Sequence, residues 1–259
     1  MARYQIVIAY DGTEFHGFQR QESRTQGQTV QGVLEAALRQ LGWQGKTILA
    51  AGRTDAGVHA SGQVIACDLE WRHTPQALQD ALNANLPLSV AVCSVRVSRP
   101  DFHPRYDALA RRYRYRIFCQ AGRDPLRERY AWRVWPEVQE CRLLEAASYL
   151  SGTHDFAAFG TPPRAGDSTI RIVYQAGWQQ NNGEWTFEIL ANAFLYHMVR
   201  RLVACQVQIG TGKLEPAFLV NLLSGSSNEP VLGLAPAHGL ALVEVLYGDD
   251  VALRRITLE

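Results

Sequence analysis

The sequence has no apolar run approaching the roughly 20 residues that a membrane-spanning helix requires. A helical membrane protein is therefore not expected. It also lacks an excess of either charge: 26 Lys and Arg stand against 25 Asp and Glu, a formal net charge of +1. Such a chain is no polycation, so a nucleic-acid partner would have to be met by a local basic surface. Cysteine is sparse and odd in number: five, at positions 67, 93, 119, 141 and 205, with no C-x-x-C and no close Cys/His spacing. That pattern supports neither a disulfide framework nor a zinc site, and suits a reducing cytosol. The opening MARYQIVIAYDG has no basic segment followed by a long apolar one. No signal peptide is read there, and a cytoplasmic protein is expected.

What is present is core-forming material. Hydrophobic residues make up 47% of 259, enough for one large domain or two ordinary ones. Tyr4–Tyr10, Lys46–Ala50, Gln63–Leu69 and Val90–Val97 read as strands. Thr29–Leu41 places Val30, Val33, Leu34, Ala37, Leu38 and Leu41 on one helical face, with Thr29 as cap and Gly42 as stop. Thr74–Asn83 is a second helix, with Pro75 at its first turn. The order is β-α-β-β-α-β. Strands are then predicted at Arg112–Phe118, Ile170–Trp178, Trp185–Leu190 and Leu240–Tyr247. Helices are predicted at Glu137–Leu150, with Leu143, Leu144, Ala147 and Leu150 inward, and at Tyr196–Ile209 and Glu215–Leu223. Asn181-Asn182-Gly183 reads as a hairpin loop. The order recurs, with one extra helix. It matches the split βαβ, ferredoxin-like motif twice over, with a boundary near residues 100–108.

Four segments carry more chemistry than structure demands. AGRTDAGVHA (51–60) puts Arg53, Thr54 and Asp55 between glycines directly after a strand; a turn needs the glycine but not the arginine. FHPRYDALARRYRY (102–115) interleaves Arg105, Arg111, Arg112 and Arg114 with Phe102, Tyr106, Tyr113 and Tyr115. Arginine with aromatics binds phosphates while stacking bases. An ordinary two-faced strand, arginines to water and tyrosines to the core, explains that segment about as well. ANAFLYHMVRR (191–201) leads into a helix predicted to carry His197 and Arg200 on one face. YDGTEFHGFQRQ (10–21) is glycine-rich and polar directly after the first strand.

Together these segments resemble the TruA-type tRNA pseudouridine synthases, in order and over nearly the whole chain. The resemblance implies an α+β fold of two tandem ferredoxin-like (RRM-like) domains, 1–105 carrying the catalytic aspartate and 106–259. These would share a continuous, mostly antiparallel sheet with a central cleft. It implies isomerisation of uridine to pseudouridine at positions 38–40 of the tRNA anticodon stem-loop, by a homodimer and without a cofactor. The C1′–N1 bond breaks, the uracil turns, and C1′ is rejoined at C5. Asp55 falls on the catalytic aspartate, which can act by covalent catalysis or by assisting departure of the base. Arg200 falls on an arginine that keeps this carboxylate ionised. Tyr113 falls on the tyrosine stacked on the target uracil, and Arg53 on the arginine that holds the flipped nucleotide. Gly52 and Gly57 would let backbone and ribose approach closely.

The resemblance further implies that Leu240 walls the pocket, although plain core packing explains it nearly as well. Phe102, His103, Arg105 and Tyr106 match an RNA-contacting segment, Arg105 as its phosphate ligand. His59 and His103 are equally explained by structural hydrogen bonds. The loop 160–169 departs from the family by having only Arg164, opposed by Asp167, where a more basic stretch is usual. The contrasting reading is a non-catalytic RNA-binding module. A pure binder gains nothing from a carboxylate that repels phosphate, so Asp55 beside Arg53 favours the enzyme. A metal-dependent nuclease would want clustered carboxylates, and Asp11, Asp55 and Asp68 are too scattered to argue for one.

Overall fold

The computed structural model describes residues 1–20, 28–164, 166–225 and 233–248. Gln21 of the glycine-rich segment, Ala165 of the loop 160–169 and the tail 249–259 lie outside the described residues. The chain forms two compact units, Met1–Leu109 with the segment from Ala241, and Ala110–Leu240. Both are mixed α+β with mostly antiparallel strand pairing. Among the described residues, no helix is long and apolar enough to cross a membrane.

In the first unit, β1 (Ala2–Tyr10) lies between β4 (Val90–Val97) and β3 (His59–Leu69), antiparallel to both. The two-residue β2 (Leu49–Ala50) pairs antiparallel with the other edge of β3, giving the order β4-β1-β3-β2. The start of β10 (Leu240–Leu246) pairs parallel with β3, Ala241 opposite His59. Strand β3 is buried along almost its whole length, as its apolar run VIAC requires. Helix α1 (Val30–Gln40) starts where the Thr29 side chain accepts from the Gly32 N–H, and stops at Gly42, whose φ is +90°. Helix α2 (Pro75–Asn85) is capped the same way by Thr74 and packs on β4.

In the second unit, β5 (Ala110–Cys119) pairs antiparallel with β9 (Glu184–Ala191), β9 with β8 (Ile170–Asn181), and β8 with β7 (Gly152–Asp155). A three-residue strand, β6 (Trp132–Val134), runs parallel beside β5. β8 and β9 join through Asn182 and Gly183, both at positive φ, the two-residue hairpin that an Asn-Gly pair favours. Helices α3 (Glu140–Ser148) and α4 (Met198–Gly210) pack together, and α3 also packs on β8. α5 (Pro216–Leu223) lies against α3. Tyr115, Ile117, Phe156, Phe159, Phe187, Ile189 and Leu202 fill the core between them.

Three expectations need correction here. Strands β6 and β7 were not foreseen. Leu144 points outward on α3, with Ala146 taking its inward place. α4 begins at Met198, so His197 is not on a helical face with Arg200; it is the residue before the helix, at a left-handed φ of +65°.

Candidate active site

Asp55 sits on the turn between β2 and β3, and every flank of that turn is tied down. Gln63 of β3 is wholly buried; its Nε2 donates to the Gly52 carbonyl at 3.0 Å. Beside it the Ala51 N–H donates to Val64 at 2.9 Å. Thr54 is buried, its hydroxyl 2.8 Å from the Tyr10 hydroxyl, and its carbonyl accepts from Phe18 N–H at 3.0 Å. Thr54 thus serves the turn, as its neighbours require of a buried hydroxyl. Asp55 itself closes the turn, its carbonyl accepting from Val58 N–H at 3.2 Å, while its residue stays half-buried. Arg53 is exposed. The outcome is a half-buried aspartate on a backbone that cannot easily drift.

The glycine-rich segment explains itself beside this turn. Gly17 has a φ of +88°, and a Cβ on it would lie 3.0 Å from the Thr54 carbonyl oxygen and 3.4 Å from the Ala56 nitrogen. The segment is therefore pressed directly on the aspartate's backbone. His59 is buried, and its Nδ1 accepts from the Gly12 N–H at 3.0 Å. Asp11 Oδ1 lies 3.2 Å from the same nitrogen. One ring nitrogen cannot accept from Gly12 and carry a proton for Asp11 at once. The hydrogen bond is the shorter contact, and Asp11 Oδ1 is already bonded by the Thr13 N–H at 3.0 Å. His59 is thus a structural tie. Gly57 needs its glycine, with φ +76°, but a Cβ on Gly52 would meet nothing within 4 Å. The protein fold does not demand that glycine.

The segment from Phe102 to Tyr106 divides into two roles. Phe102 is core, its ring centroid 5.2 Å from that of Tyr247, and its carbonyl accepts from Arg3 Nη1 at 2.9 Å. Its side chain therefore anchors the loop. His103 binds within the loop, its N–H donating to Asp107 at 2.8 Å and its Nδ1 accepting from the Arg105 N–H at 3.1 Å. Its ring lies against that of Tyr106, centroids 4.2 Å apart. Arg105 and Tyr106 are exposed, Tyr106 at 72%. A pre-ordered loop therefore presents a cation and a ring together.

In the second unit β5 has two unlike faces. Tyr115 and Ile117 are buried, with Tyr113 half-buried on the same side, its ring edge-to-face with Phe194 at 4.9 Å. The arginines of the other face meet carboxylates of β9: Arg114 Nη2 lies 2.6 Å from Glu188, Arg112 Nη1 lies 3.7 Å from the same residue, and Arg116 is bonded to Glu184. These contacts favour the two-faced strand over the phosphate-binding reading, although Arg112 and Arg114 share one carboxylate and the three arginines meet only two. Arg111 instead donates to the Asn192 carbonyl at 3.0 Å.

Arg200 lies in the first turn of α4, and its Nε donates to the Ala235 carbonyl at 2.7 Å. The next carbonyl, that of Pro236, accepts from the Tyr115 hydroxyl at 2.7 Å. Burial pushes the Tyr115 phenol well above its ordinary range, with the Arg200 charge opposing. So Arg200 and Tyr115 together fix the segment that leads through a 3-10 turn, Ala237–Gly239, to the buried Leu240. Tyr115 was not foreseen in this role; its complete burial is invisible in an alternating pattern. Gln63 and Tyr10 were likewise missed, since neither lies in the motif it supports.

The first unit thus presents an aspartate on a braced turn together with the exposed Arg53 and Arg105, charges of the kind an enzyme acting on a nucleic acid uses. The family model for tRNA pseudouridine synthase matches residues 6–107 and 146–248. tRNA pseudouridine synthase A of Chloroflexus aurantiacus is 39% identical over 254 residues, spanning 95% of this chain and 89% of that one. The enzymes of the same name from Moorella thermoacetica (40% over 246 residues, 94% and 98%) and Geobacillus kaustophilus (38% over 250 residues, 96% and 95%) are similar to it as well. A chain in the crystal structure of a Cbf5-Nop10-Gar1 complex aligns with a TM-score of 0.35 and 10% identity, over 79% of this chain and 45% of that one, a likeness too loose to bear on the fold. The chain belongs to the tRNA pseudouridine synthase family. It is accordingly an isomerase acting on tRNA uridine, which sets aside the non-catalytic RNA-binding module.

Proposed function

We propose that this isomerase converts uridines at positions 38–40 of the tRNA anticodon stem-loop to pseudouridine, with Asp55, Tyr113 and Arg200 as its catalytic residues. The observation that carries the proposal is Asp55: a half-buried aspartate on a turn braced by Gln63, Thr54 and Gly17. A reaction that cleaves C1′–N1 and joins C1′–C5 needs a charge held in register with the ribose, and a pre-organised carboxylate supplies it. Arg53 holds the displaced nucleotide, and Gly52 leaves room for the ribose. Tyr113 faces the uracil with a ring oriented by Phe194. Leu240 walls the base. Arg105 takes a phosphate, with Tyr106 and His103 as the aromatic surface beside it.

The proposed organisation is two ferredoxin-like domains in tandem, 1–105 and 106–259, acting as a cytoplasmic homodimer. The order β4-β1-β3-β2 of the first unit supports the ferredoxin-like reading. A dimer would let one tRNA meet the local basic surface of two copies, which a chain of net charge +1 offers only in patches.

The test is release of tritium from tRNA transcripts labelled at uridine C5, because forming C1′–C5 expels that hydrogen. Transcripts bearing uridine at only one of positions 38, 39 or 40 should release label with wild-type protein, and transcripts with cytidine at all three should not. Asp55→Asn should bind these tRNAs and release nothing. Release by Asp55→Asn at the wild-type rate would remove Asp55 from the chemistry, and release from the cytidine-substituted transcripts would refute the assigned positions.

A further inference from the structure

Among the described residues, Glu35 on α1 is the only carboxylate that is wholly buried. A buried charge is costly unless paired and hydrogen-bonded. Glu35 has both: Oε1 accepts from Gln31 Nε2 at 2.7 Å and from the Ile48 N–H at 3.3 Å. Its Oε2 meets Arg20 Nη1 at 3.1 Å and Arg39 Nη2 at 3.4 Å. Gln31, also buried, accepts from the Arg20 N–H at 3.0 Å, so one residue is gripped at its backbone and at its guanidinium.

The grip leads to the reaction site. The Gln31 N–H donates to Phe18 at 2.9 Å and the Val30 N–H to Gly17 at 3.3 Å; the Phe18 N–H then donates to Thr54 at 3.0 Å, next to Asp55. A continuous run of hydrogen bonds therefore joins Glu35 to the turn of Asp55, through the segment whose Gly17 presses on that turn. The Gln31 amide and the Ile48 N–H need an acceptor at position 35, which a neutral glutamine oxygen would also supply; they do not need a charge. The charge answers Arg20 and, at longer range, Arg39, and of these two Arg20 belongs to the segment that reaches the Asp55 turn. We propose that Glu35, acting through Gln31 and Arg20, is a positioning residue that seats segment 17–20 and thereby fixes the Asp55 backbone. This rests on the reading of Asp55 as catalytic.

The experiment compares Glu35→Gln, Arg20→Met and Arg39→Met in single-turnover tritium release at saturating tRNA, with tRNA affinity measured by filter binding. Glu35→Gln and Arg20→Met should each slow the rate about tenfold or more, as expected for sub-ångström misplacement, with Kd within about twofold of wild type. Arg39→Met, which removes the partner on the helix and not the one on the segment, should keep the wild-type rate. The double variant Glu35→Gln/Arg20→Met should be no slower than the slower single, since both break one connection. A wild-type rate for folded Glu35→Gln, an equal loss in Arg39→Met, or multiplicative losses in the double variant each overturn the proposal. If Glu35→Gln does not fold, Arg20→Met decides alone: wild-type rate, or lost affinity in place of lost rate, overturns it. Asp55→Asn run in parallel separates the two failures. Activity there removes the premise, whereas inactivity there with normal Glu35→Gln refutes only the positioning role.

Discussion

Two glycines with nearly the same backbone let strain be separated from contact. Gly17 has φ +88° and Gly42 has φ +90°. Placing any other residue in this left-handed region costs about 1–2 kcal/mol. For Gly42→Ala that is the whole effect, because a Cβ there meets nothing within 4 Å. For Gly17→Ala the new methyl lies 3.0 Å from the Thr54 carbonyl oxygen and 3.5 Å from the Asp55 carbonyl carbon. Both neighbours are backbone, so relief requires moving the turn by a few tenths of an ångström. Overpacking adds about 1 kcal/mol, the low end of its usual range. Gly17→Ala should therefore lose about 2–3 kcal/mol against about 1–2 for Gly42→Ala, by urea unfolding. The larger difference is in rate. A misplacement of 1 Å costs about 100-fold, so a few tenths should slow single-turnover tritium release about three- to tenfold in Gly17→Ala. Gly42→Ala should react at the wild-type rate at temperatures where it is folded. Equal stabilities together with a wild-type rate for Gly17→Ala would refute the claim that this segment bears on the Asp55 turn.

Gly52→Ala should be neutral or stabilising by about 0.4–1 kcal/mol, through a stiffer unfolded chain, yet should weaken activity, because its methyl enters space the fold leaves open; unchanged tritium release would dissociate Gly52 from the substrate. Arg3 grips Asp68 through two hydrogen bonds of 2.7 and 2.6 Å, which holds the Asp68 carboxyl below its ordinary range. Its stabilisation is present above the unfolded pKa of about 3.9 and is lost as pH falls through the lowered folded value. Because the pair is partly solvated, the gain over Asp68→Asn should be about 0.5–1 kcal/mol at pH 7 and vanish at strongly acid pH, read from urea midpoints across that range. Burial pushes the Cys67 and Cys205 thiols up to about 12, whereas Cys93 and Cys141 are exposed. A thiol-specific reagent at pH 8 should label Cys93 and Cys141 fast in the native protein and reach Cys67 and Cys205 only on unfolding; early labelling of Cys67 would contradict its burial.

Legibility in the sequence followed how local the cause was. Thr29 and Gly42 bracket α1 within a residue of the expected ends, because capping is decided by a few neighbouring atoms. The Asn-Gly hairpin was legible for the same reason. β6 and β7 were not: three and four residues, with GTHD largely polar, leave no periodicity to detect. The face of α1 was half right. Val30, Leu34, Ala37 and Leu38 are buried as expected, but so are Gln31 and Glu35, which a polar-outside rule sends to solvent. Their partners Arg20 and Ile48 lie 11 to 15 residues away, and only the fold reveals them. The Asp55 turn was legible as a motif. Its bracing was not, since Tyr10 is 44 residues from Thr54.

The charge pairs between β5 and β9 also bear on how the chain finds this fold. Sliding β9 along β5 by two residues would keep every side chain on its proper face, so apolar burial alone discriminates weakly against it. In the native register Glu188 lies opposite Arg114 and reaches Arg112, while Glu184 serves Arg116. A two-residue slip one way sets Glu188 opposite Arg116, leaves Arg114 facing Leu190, and carries Arg112 beyond reach of any carboxylate of β9. The opposite slip sets Glu188 opposite Arg112 and Glu184 opposite Arg116, so the ladder contributes little to the finished unit and penalises sliding in one direction only.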